Sequence, residues 1–299
     1  MVSIHEMFRD QHGVISREQA IAAGVSRSQI SRRLSSGDWK VIHPGVYRHT
    51  AVALTWEARL LAAVLSSGGV ASHRCAAALW YLDGYSEPEI EVTIPNTQWR
   101  GLPDLRVHRT TQWDRRELTV KRGIPVTGIN RTILDSAGVL GYQRTERLAE
   151  SAIRKDLTSW IDLIETLRQH SRQGRNGCLT LRTLLDNRLG DKTVPLSEFS
   201  RLVTNLLVDA GIPKPVLEYR IVDQDDQHVL QTDLAWPDQK KAWELDGLQW
   251  HFGREDVERD RRKRNRAKSL GWNIQEILWT MYTDEPERLV AQARSFLKK

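Results

Sequence analysis

The segment that most constrains this chain runs from residue 230 to residue 272, where acidic residues alternate with large apolar ones. Glu244 and Asp246 stand at alternate positions of a strand-like run. Trp243 precedes Glu244, and Leu245 lies between the two acids. Because alternate side chains of a strand point to one face, the apolar pair can be buried while both carboxylates share the opposite face. The pattern predicts a central strand with an acidic site. The alternative is a solvated edge strand whose acids prevent edge-to-edge pairing.

A third carboxylate and an imidazole flank this strand. Asp233 ends the preceding strand-like run, and His251 follows the glycine turn after the acidic strand. Like charges this close repel each other unless a cation lies between them, and Mg²⁺ (or Mn²⁺) suits carboxylate, water and phosphate oxygens. The ion would lower the pKa of a bound water whose proton His251 could accept. We therefore predict phosphodiester cleavage with four catalytic residues, Asp233, Glu244, Asp246 and His251, the first two also holding the metal.

The charge distribution favours an anionic partner. The chain has 299 residues, enough for two or three domains, and a formal charge of +6 with a pI near 9.4. Between residues 259 and 268 seven of ten residues are Lys or Arg. Nucleic acid is the commonest partner of such a run, and a solvated surface helix is the other interpretation.

The cysteines and the apolar segments indicate the compartment. Cys75 and Cys178 stand far apart and in no paired motif, so neither a disulfide framework nor a zinc site is predicted. The N-terminus lacks an apolar signal core, and no apolar run approaches membrane-spanning length. We expect a cytoplasmic, nucleoid-associated protein with no membrane contact. These patterns leave the oligomeric state open.

Residues 1–50 are typical of a winged helix-turn-helix. Two capping-box patterns, Ser16–Gln19 and Ser26–Gln29, open successive short helices separated by Gly24. A hairpin around His43-Pro44-Gly45 then provides a wing. Arginines and short polar groups at the start of a helix suit base edges and phosphates in a major groove, whereas docking of another protein is the alternative. The residues predicted to contact DNA here are Arg27, Ser28, Gln29, Arg32, Arg33, Lys40 and Arg48.

Glycine- and proline-containing stretches divide the rest of the chain into a middle region, a linker and a C-terminal region. Residues 51–170 mix helical and strand patterns, and 171–195 form a linker with Gly-rich and Pro-containing ends around a short helix. From 196 to 299 the order αβββαβα is predicted. The fold class is therefore multidomain, with α/β and α+β parts: a winged helix-turn-helix, a mixed middle domain and a C-terminal α/β domain.

The C-terminal part resembles the restriction-endonuclease-like superfamily over about residues 195–298. Four motifs carry a narrower similarity to the very-short-patch mismatch repair endonuclease: TDL, then ELDG with a following WH, then ERDRR, then LGW. The resemblance implies that Asp233 binds metal, that His251 is the catalytic histidine and that Glu198 is an auxiliary ligand. From the basic run we further predict phosphate contacts by Arg259, Arg262 and Arg264. Asp246 stands where many members of the superfamily have lysine, which favours a protein that has lost catalysis.

Residues 1 to about 165 resemble the AbiEi-type antitoxins of type IV toxin–antitoxin systems. The motifs are HPGVYR at the wing, SHRCAA followed by LW, and GIPVTGINRTILD. The resemblance implies operator binding by the winged helix, antitoxin activity of the middle domain and a cognate toxin as partner. Together these features predict a DNA-binding protein with a Mg²⁺-dependent endonuclease domain, in phage defence or DNA repair. The alternative is a non-catalytic antitoxin and repressor with a degenerate nuclease fold.

Overall fold

The computed structural model describes residues 3–95, 105–171, 175–190, 196–246 and 254–298. The chain divides into two compact units, Met1–Thr158 and Ser159–Lys299. Both units combine helices with β-sheet, so the mixed class expected from the sequence is confirmed in its general form. Among the helices of the described ranges, none combines the length and apolar character that crossing a membrane requires.

The first unit begins with three short helices and a small sheet. The helices are α1 (Ile4–Asp10), α2 (Arg17–Ala22) and α3 (Arg27–Ser35), and the strands are β1 (Val14–Ser16), β2 (Trp39–His43) and β3 (Val46–His49), in the sheet order β1-β3-β2. Both predicted capping boxes are confirmed. Ser16 and Gln19 exchange hydrogen bonds at the start of α2, as Ser26 and Gln29 do at the start of α3.

Aromatic side chains hold this first part together. Phe8 of α1 packs edge-on against Trp39 at 5.2 Å between ring centroids, and Trp39 stacks on Tyr47. On the other side of the sheet, Val14 and Val46 pack against α4, the next helix along the chain (Trp56–Ser67). The first 50 residues thus share a buried cluster with residues that follow them.

The remainder of the first unit is a five-stranded sheet with helices. After α4 come β4 (Val70–Ala71), α5 (His73–Leu79), β5 (Glu91–Pro95), β6 (Arg106–Thr110), β7 (Leu118–Lys121), β8 (Ile124–Thr127), α6 (Ile129–Leu140) and α7 (Tyr142–Arg154), in the sheet order β6-β5-β4-β8-β7. Helix α6 begins at Ile129, because Thr127 still pairs in β8. Ser72 precedes α5 but makes no side-chain capping bond to it.

The second unit contains a four-stranded sheet between helices. Its elements are α8 (Trp160–His170), α9 (Cys178–Gly190), α10 (Leu196–Asp209), β9 (Val216–Val222), β10 (His228–Trp236), β11 (Lys241–Asp246), α11 (Arg254–Ser269), β12 (Asn273–Leu278), α12 (Trp279–Asp284) and α13 (Pro286–Lys298). The strand order is β12-β11-β10-β9, with β11 and β12 parallel and the other pairs antiparallel.

From α10 onward, this order matches the predicted αβββαβα with one additional helix, α12. Trp279 begins α12, where Trp279 and Tyr282 lie one turn apart and are both buried.

Part of the predicted linker is a packed helix. Leu181, Leu184 and Leu185 of α9 are fully buried, and Arg182 of the same helix pairs with Asp284 of α12. The second compact unit accordingly starts at Ser159, ahead of the linker predicted at 171–195. The division into domains 1–50, 51–170 and 196–299 is finer than these two units and stays a prediction.

Candidate functional site

Helix α3 presents a polar surface suited to an anionic partner. Val25 and Ile30 are buried beneath it, as the periodicity predicts. Five of the residues predicted to contact DNA are exposed on α3 or on strand β2, which follows it, namely Arg27, Ser28, Gln29, Arg32 and Lys40. This surface therefore offers three cations and two short polar groups to solvent.

The other two predicted DNA contacts are engaged within the protein. The guanidinium of Arg33 lies 5.1 Å from the Trp39 ring, in a cation–π contact, and Arg33 is half-buried. Arg48 donates a hydrogen bond to the Val52 carbonyl. Gln29 is exposed, but its side-chain oxygen accepts a hydrogen bond from the Ser26 amide in the capping box. Sequence spacing alone does not separate these structural roles from exposed ones.

In the second unit, Asp233 and Glu244 lie on adjacent strands of the sheet. Asp233 directly precedes Leu234, which pairs with Trp243 between β10 and β11, and it accepts a hydrogen bond of 2.7 Å from the Leu245 amide. Trp243 is fully buried on the opposite face, where its ring stacks on Phe296 of α13. The prediction that apolar and acidic residues of β11 occupy opposite faces is therefore supported by the burial of Trp243 and Leu245.

Burial and mutual repulsion act on these carboxylates. Burial raises the pKa of Asp233, although the Leu245 amide lowers it, and the charge of Glu218 raises it further. Burial likewise raises the pKa of Glu244. The Arg264 charge opposes this shift, whereas the charges of Asp233 and Glu276 add to it. Both carboxyls therefore favour the protonated form more than exposed carboxyls do, and a nearby cation would stabilise their charged forms.

Arg264 of α11 supplies a cation from within the chain. Its Nε lies 2.6 Å from Glu244 Oε2, and its Nη1 pairs with Glu276 Oε1. Ala267, one turn further along α11, is fully buried and packs in a cluster with Ala242 of β11, which sets the helix against this face of the sheet. The helix thereby brings the arginine directly over the acidic residues.

Two acidic residues of this surface were not predicted from the sequence. Glu276 lies beside Glu244 in the parallel register of β12 with β11. Glu218 lies opposite Asp233, between the paired positions Thr232–Tyr219 and Leu234–Leu217. Each of these acids lies within a strand-like pattern of the sequence. That pattern does not place them beside Asp233 or Glu244 unless the pairing of the strands is known.

The remaining predicted site residues are not brought into this group by the described part of the chain. Glu198 is exposed in the first turn of α10, and Arg262 is exposed on α11. Asp246 ends β11, where its backbone is in register with Leu278. The Asp246 and Arg259 side chains, and all of His251, lie outside the described residues.

The fit of a divalent metal rests on two carboxylates. Within the described ranges, no group of three or more His, Cys, Asp or Glu side chains is arranged to hold a metal ion. Mg²⁺ does not require such a group, because it commonly takes one or two carboxylates and completes its shell with waters and phosphate. Glu244 Oε2 is buried, and the Nε of Arg264 lies 2.6 Å from it. An ion held jointly by Asp233 and Glu244 fits the oxygen ligands present, provided that the guanidinium moves away from Glu244.

Comparison with known proteins relates the first part of the chain to transcriptional regulators. Residues 4–49 match the family model described as "Transcriptional regulator, AbiEi antitoxin". This match covers α1 to β3, the segment that contains the exposed surface of α3, and it supports a DNA-binding regulator.

Two proteins of Mycobacterium tuberculosis are similar to nearly the whole chain. They come from two strains, both are described as uncharacterized, and each is 26% identical over 275 residues. The similarity covers 92% of this chain and 98% of each relative. Both units described above therefore occur together, in the same order, in proteins of about the same length.

Proposed function

We propose that this protein is a DNA-binding transcriptional regulator of the AbiEi antitoxin type. The first 50 residues act as a winged helix, with α3 as the recognition helix and the β2–β3 hairpin as the wing. A cognate toxin is the protein partner that this type of regulator implies. The observation that carries the proposal is the exposed surface of Arg27, Ser28 and Arg32 on a helix within the matched segment.

The chemistry of that surface suits operator recognition. Arginines form bidentate bonds with guanine edges or ion pairs with phosphates, while serine contacts either. Lys40 adds a charge on the wing strand, where a phosphate of the adjacent groove can be reached. Because Trp39 and Ile30 are buried, α3 is already held in place before DNA binds. Binding therefore costs little conformational entropy in the helix backbone.

The test is binding of the purified protein to a duplex carrying the promoter region of its own gene. We expect Arg27→Ala and Arg32→Ala each to weaken binding by about 1–3 kcal/mol if the arginine contacts a base. A phosphate contact would instead reduce the slope of log affinity against log salt by about 0.9. Arg9→Ala is the matched control, because Arg9 is an exposed arginine of α1 paired with Asp10. Equal binding by all variants would contradict the proposal.

A second candidate function belongs to the second unit: Mg²⁺-dependent hydrolysis of DNA phosphodiester bonds. The specific observation in its favour is the juxtaposition of Asp233 and Glu244, two carboxylates with raised pKa values on adjacent strands. When bound there, the metal would polarise the phosphate and activate a water. Asp233 and Glu244 would hold the ion, and His251 would accept the proton of the attacking water.

Nicking of supercoiled plasmid with Mg²⁺ or Mn²⁺ tests this second candidate. Asp233→Asn preserves the acceptor for the Leu245 amide while removing the charge, and we expect it to abolish cleavage. His251→Ala tests the proton acceptor. Asp238→Asn is the control, because Asp238 is an exposed acid between β10 and β11. Absence of cleavage by the wild-type protein over a panel of DNA substrates would leave the regulator as the function.

A further inference from the structure

The contact of Arg264 with two carboxylates has a consequence for the second candidate function. Glu244 and Glu276 occupy the same register position on two parallel strands, and the arginine is ion-paired with both. The side chain of Glu244 is 14% exposed and those of Arg264 and Glu276 are 40% and 50% exposed. The arginine therefore lies at the boundary between the buried acid and solvent.

A guanidinium in this position performs the electrostatic task of a metal ion. It neutralises the repulsion that Glu244 experiences from Asp233 and Glu276. Because its Nε is only 2.6 Å from Glu244 Oε2, it also occupies the space in which an ion would contact that oxygen. A divalent ion must displace the arginine from Glu244 before it can bind.

We propose that Arg264 is the resident counter-cation of the carboxylate site and couples the binding of metal to the binding of nucleic acid. The proposal rests on the second candidate function above. A metal ion at Glu244 releases the guanidinium, which then pairs with a phosphate of the bound strand. Nucleic acid in turn favours metal binding, because the phosphate provides the released arginine with a new partner.

The geometry of α11 supports this exchange. Ala267 is buried beneath the helix, so the backbone at Arg264 is fixed one turn away from a packed contact. The long arginine side chain can then change partners while the helix stays in place. Arg266, two residues further along, pairs with Asp223 in the turn between β9 and β10 and therefore offers a matched comparison.

Direct Mn²⁺ binding to the full-length protein is the measurement, from the electron paramagnetic resonance signal of the free ion. In the absence of DNA, we expect Arg264→Gln to bind Mn²⁺ about tenfold more tightly than wild type, because the competing positive charge is removed. Arg266→Gln should bind like wild type. Addition of a short duplex should tighten Mn²⁺ binding more in wild type than in Arg264→Gln.

Further variants separate charge from folding. Arg264→Lys retains the charge, so its Mn²⁺ affinity should stay close to that of wild type. If it instead behaves like Arg264→Gln, charge competition is not the cause and the proposal is overturned. Circular dichroism and thermal unfolding establish that each variant is folded before its affinity is compared.

The remaining outcomes distinguish this inference from the function on which it rests. If wild type binds Mn²⁺ but Arg264→Gln binds it no more tightly than Arg266→Gln, the coupling role is overturned and the metal site stands. If neither wild type nor Arg264→Gln binds Mn²⁺, with or without duplex, both the coupling and the nuclease candidate are overturned.

Discussion

The imidazole rings of His73 and His108 stack with their centroids 3.5 Å apart and their planes at 19°. His73 is buried at the start of α5, where its Nδ1 lies 2.9 Å from Ser72 Oγ and its backbone adopts a left-handed φ of 50°. Burial lowers the pKa of His73 to about 2, with smaller contributions from the charges of His108 and nearby arginines. Burial also lowers the pKa of His108. Both rings are therefore neutral at pH 7.

The stability of the first unit should fall as the medium becomes acidic. An unfolded histidine titrates near pH 6.5, whereas His73 and His108 in the folded protein resist protonation, so the unfolded state binds more protons below that value. Stability is then full above about pH 6.5 and decreases by at most about 1.4 kcal/mol per pH unit for each histidine. His73→Asn tolerates the left-handed backbone and does not titrate. Urea unfolding between pH 7 and pH 5 should show a shallower pH dependence in this variant than in wild type.

Breaking the buried ion pairs of Arg131 should strongly destabilise the first unit. Its side chain is 6% exposed, donates to both oxygens of Asp135 and pairs with Glu117 at 2.6 Å. Arg131→Met removes a buried cation from two partly buried acids, Asp135 and Glu117, and we expect a loss of about 3–5 kcal/mol in the free energy of unfolding. Arg116→Met removes an exposed arginine that pairs with Asp114, and should change the free energy of unfolding far less, because water screens the pair. Similar losses in both variants would contradict this expectation.

The capping box of α3 should contribute to stability and to DNA binding together. Ser26→Ala removes the acceptor for the Gln29 amide and should cost about 1 kcal/mol in the free energy of unfolding. Affinity for the promoter duplex should fall as well, because fraying of the first turn displaces Arg27 and Ser28. Ser31→Ala, at an exposed position within the same helix, is the control and should leave stability unchanged or slightly raised. Calorimetric unfolding and a binding titration on the same preparations provide both values.

Asp233 should reduce the stability of the second unit at neutral pH. Its pKa is raised by burial in the folded state, so the favourable contribution of its protonated form is lost as the pH rises through that value. Asp233→Asn is always neutral and keeps an oxygen for the Leu245 amide. We therefore expect a higher unfolding midpoint at pH 7 for this variant than for wild type, and a smaller difference near pH 4. A lower midpoint at pH 7 would assign Asp233 a purely structural role.

Local features of the fold were predictable to a useful degree. The capping boxes at Ser16 and Ser26 depend on residues three positions apart, and both formed as expected. Alternation along β11 correctly indicated that Trp243 is buried on the face opposite Glu244. The additional helix α12 was missed because its apolar pattern is as compatible with a strand end as with a short helix.

The sequence by itself determined the starts of α2 and α3, the alternation along β11 and the presence of acids and arginines in one C-terminal segment. These depend on contacts between residues a few positions apart. Only the tertiary structure decided that Glu276 lies beside Glu244 and that Arg264, among the many cations of α11, reaches both. The physical reason is that β11 and β12 are parallel and are joined by the crossover helix α11. Their register therefore depends on contacts between residues far apart in the chain, such as the packing of Ala267 with Ala242.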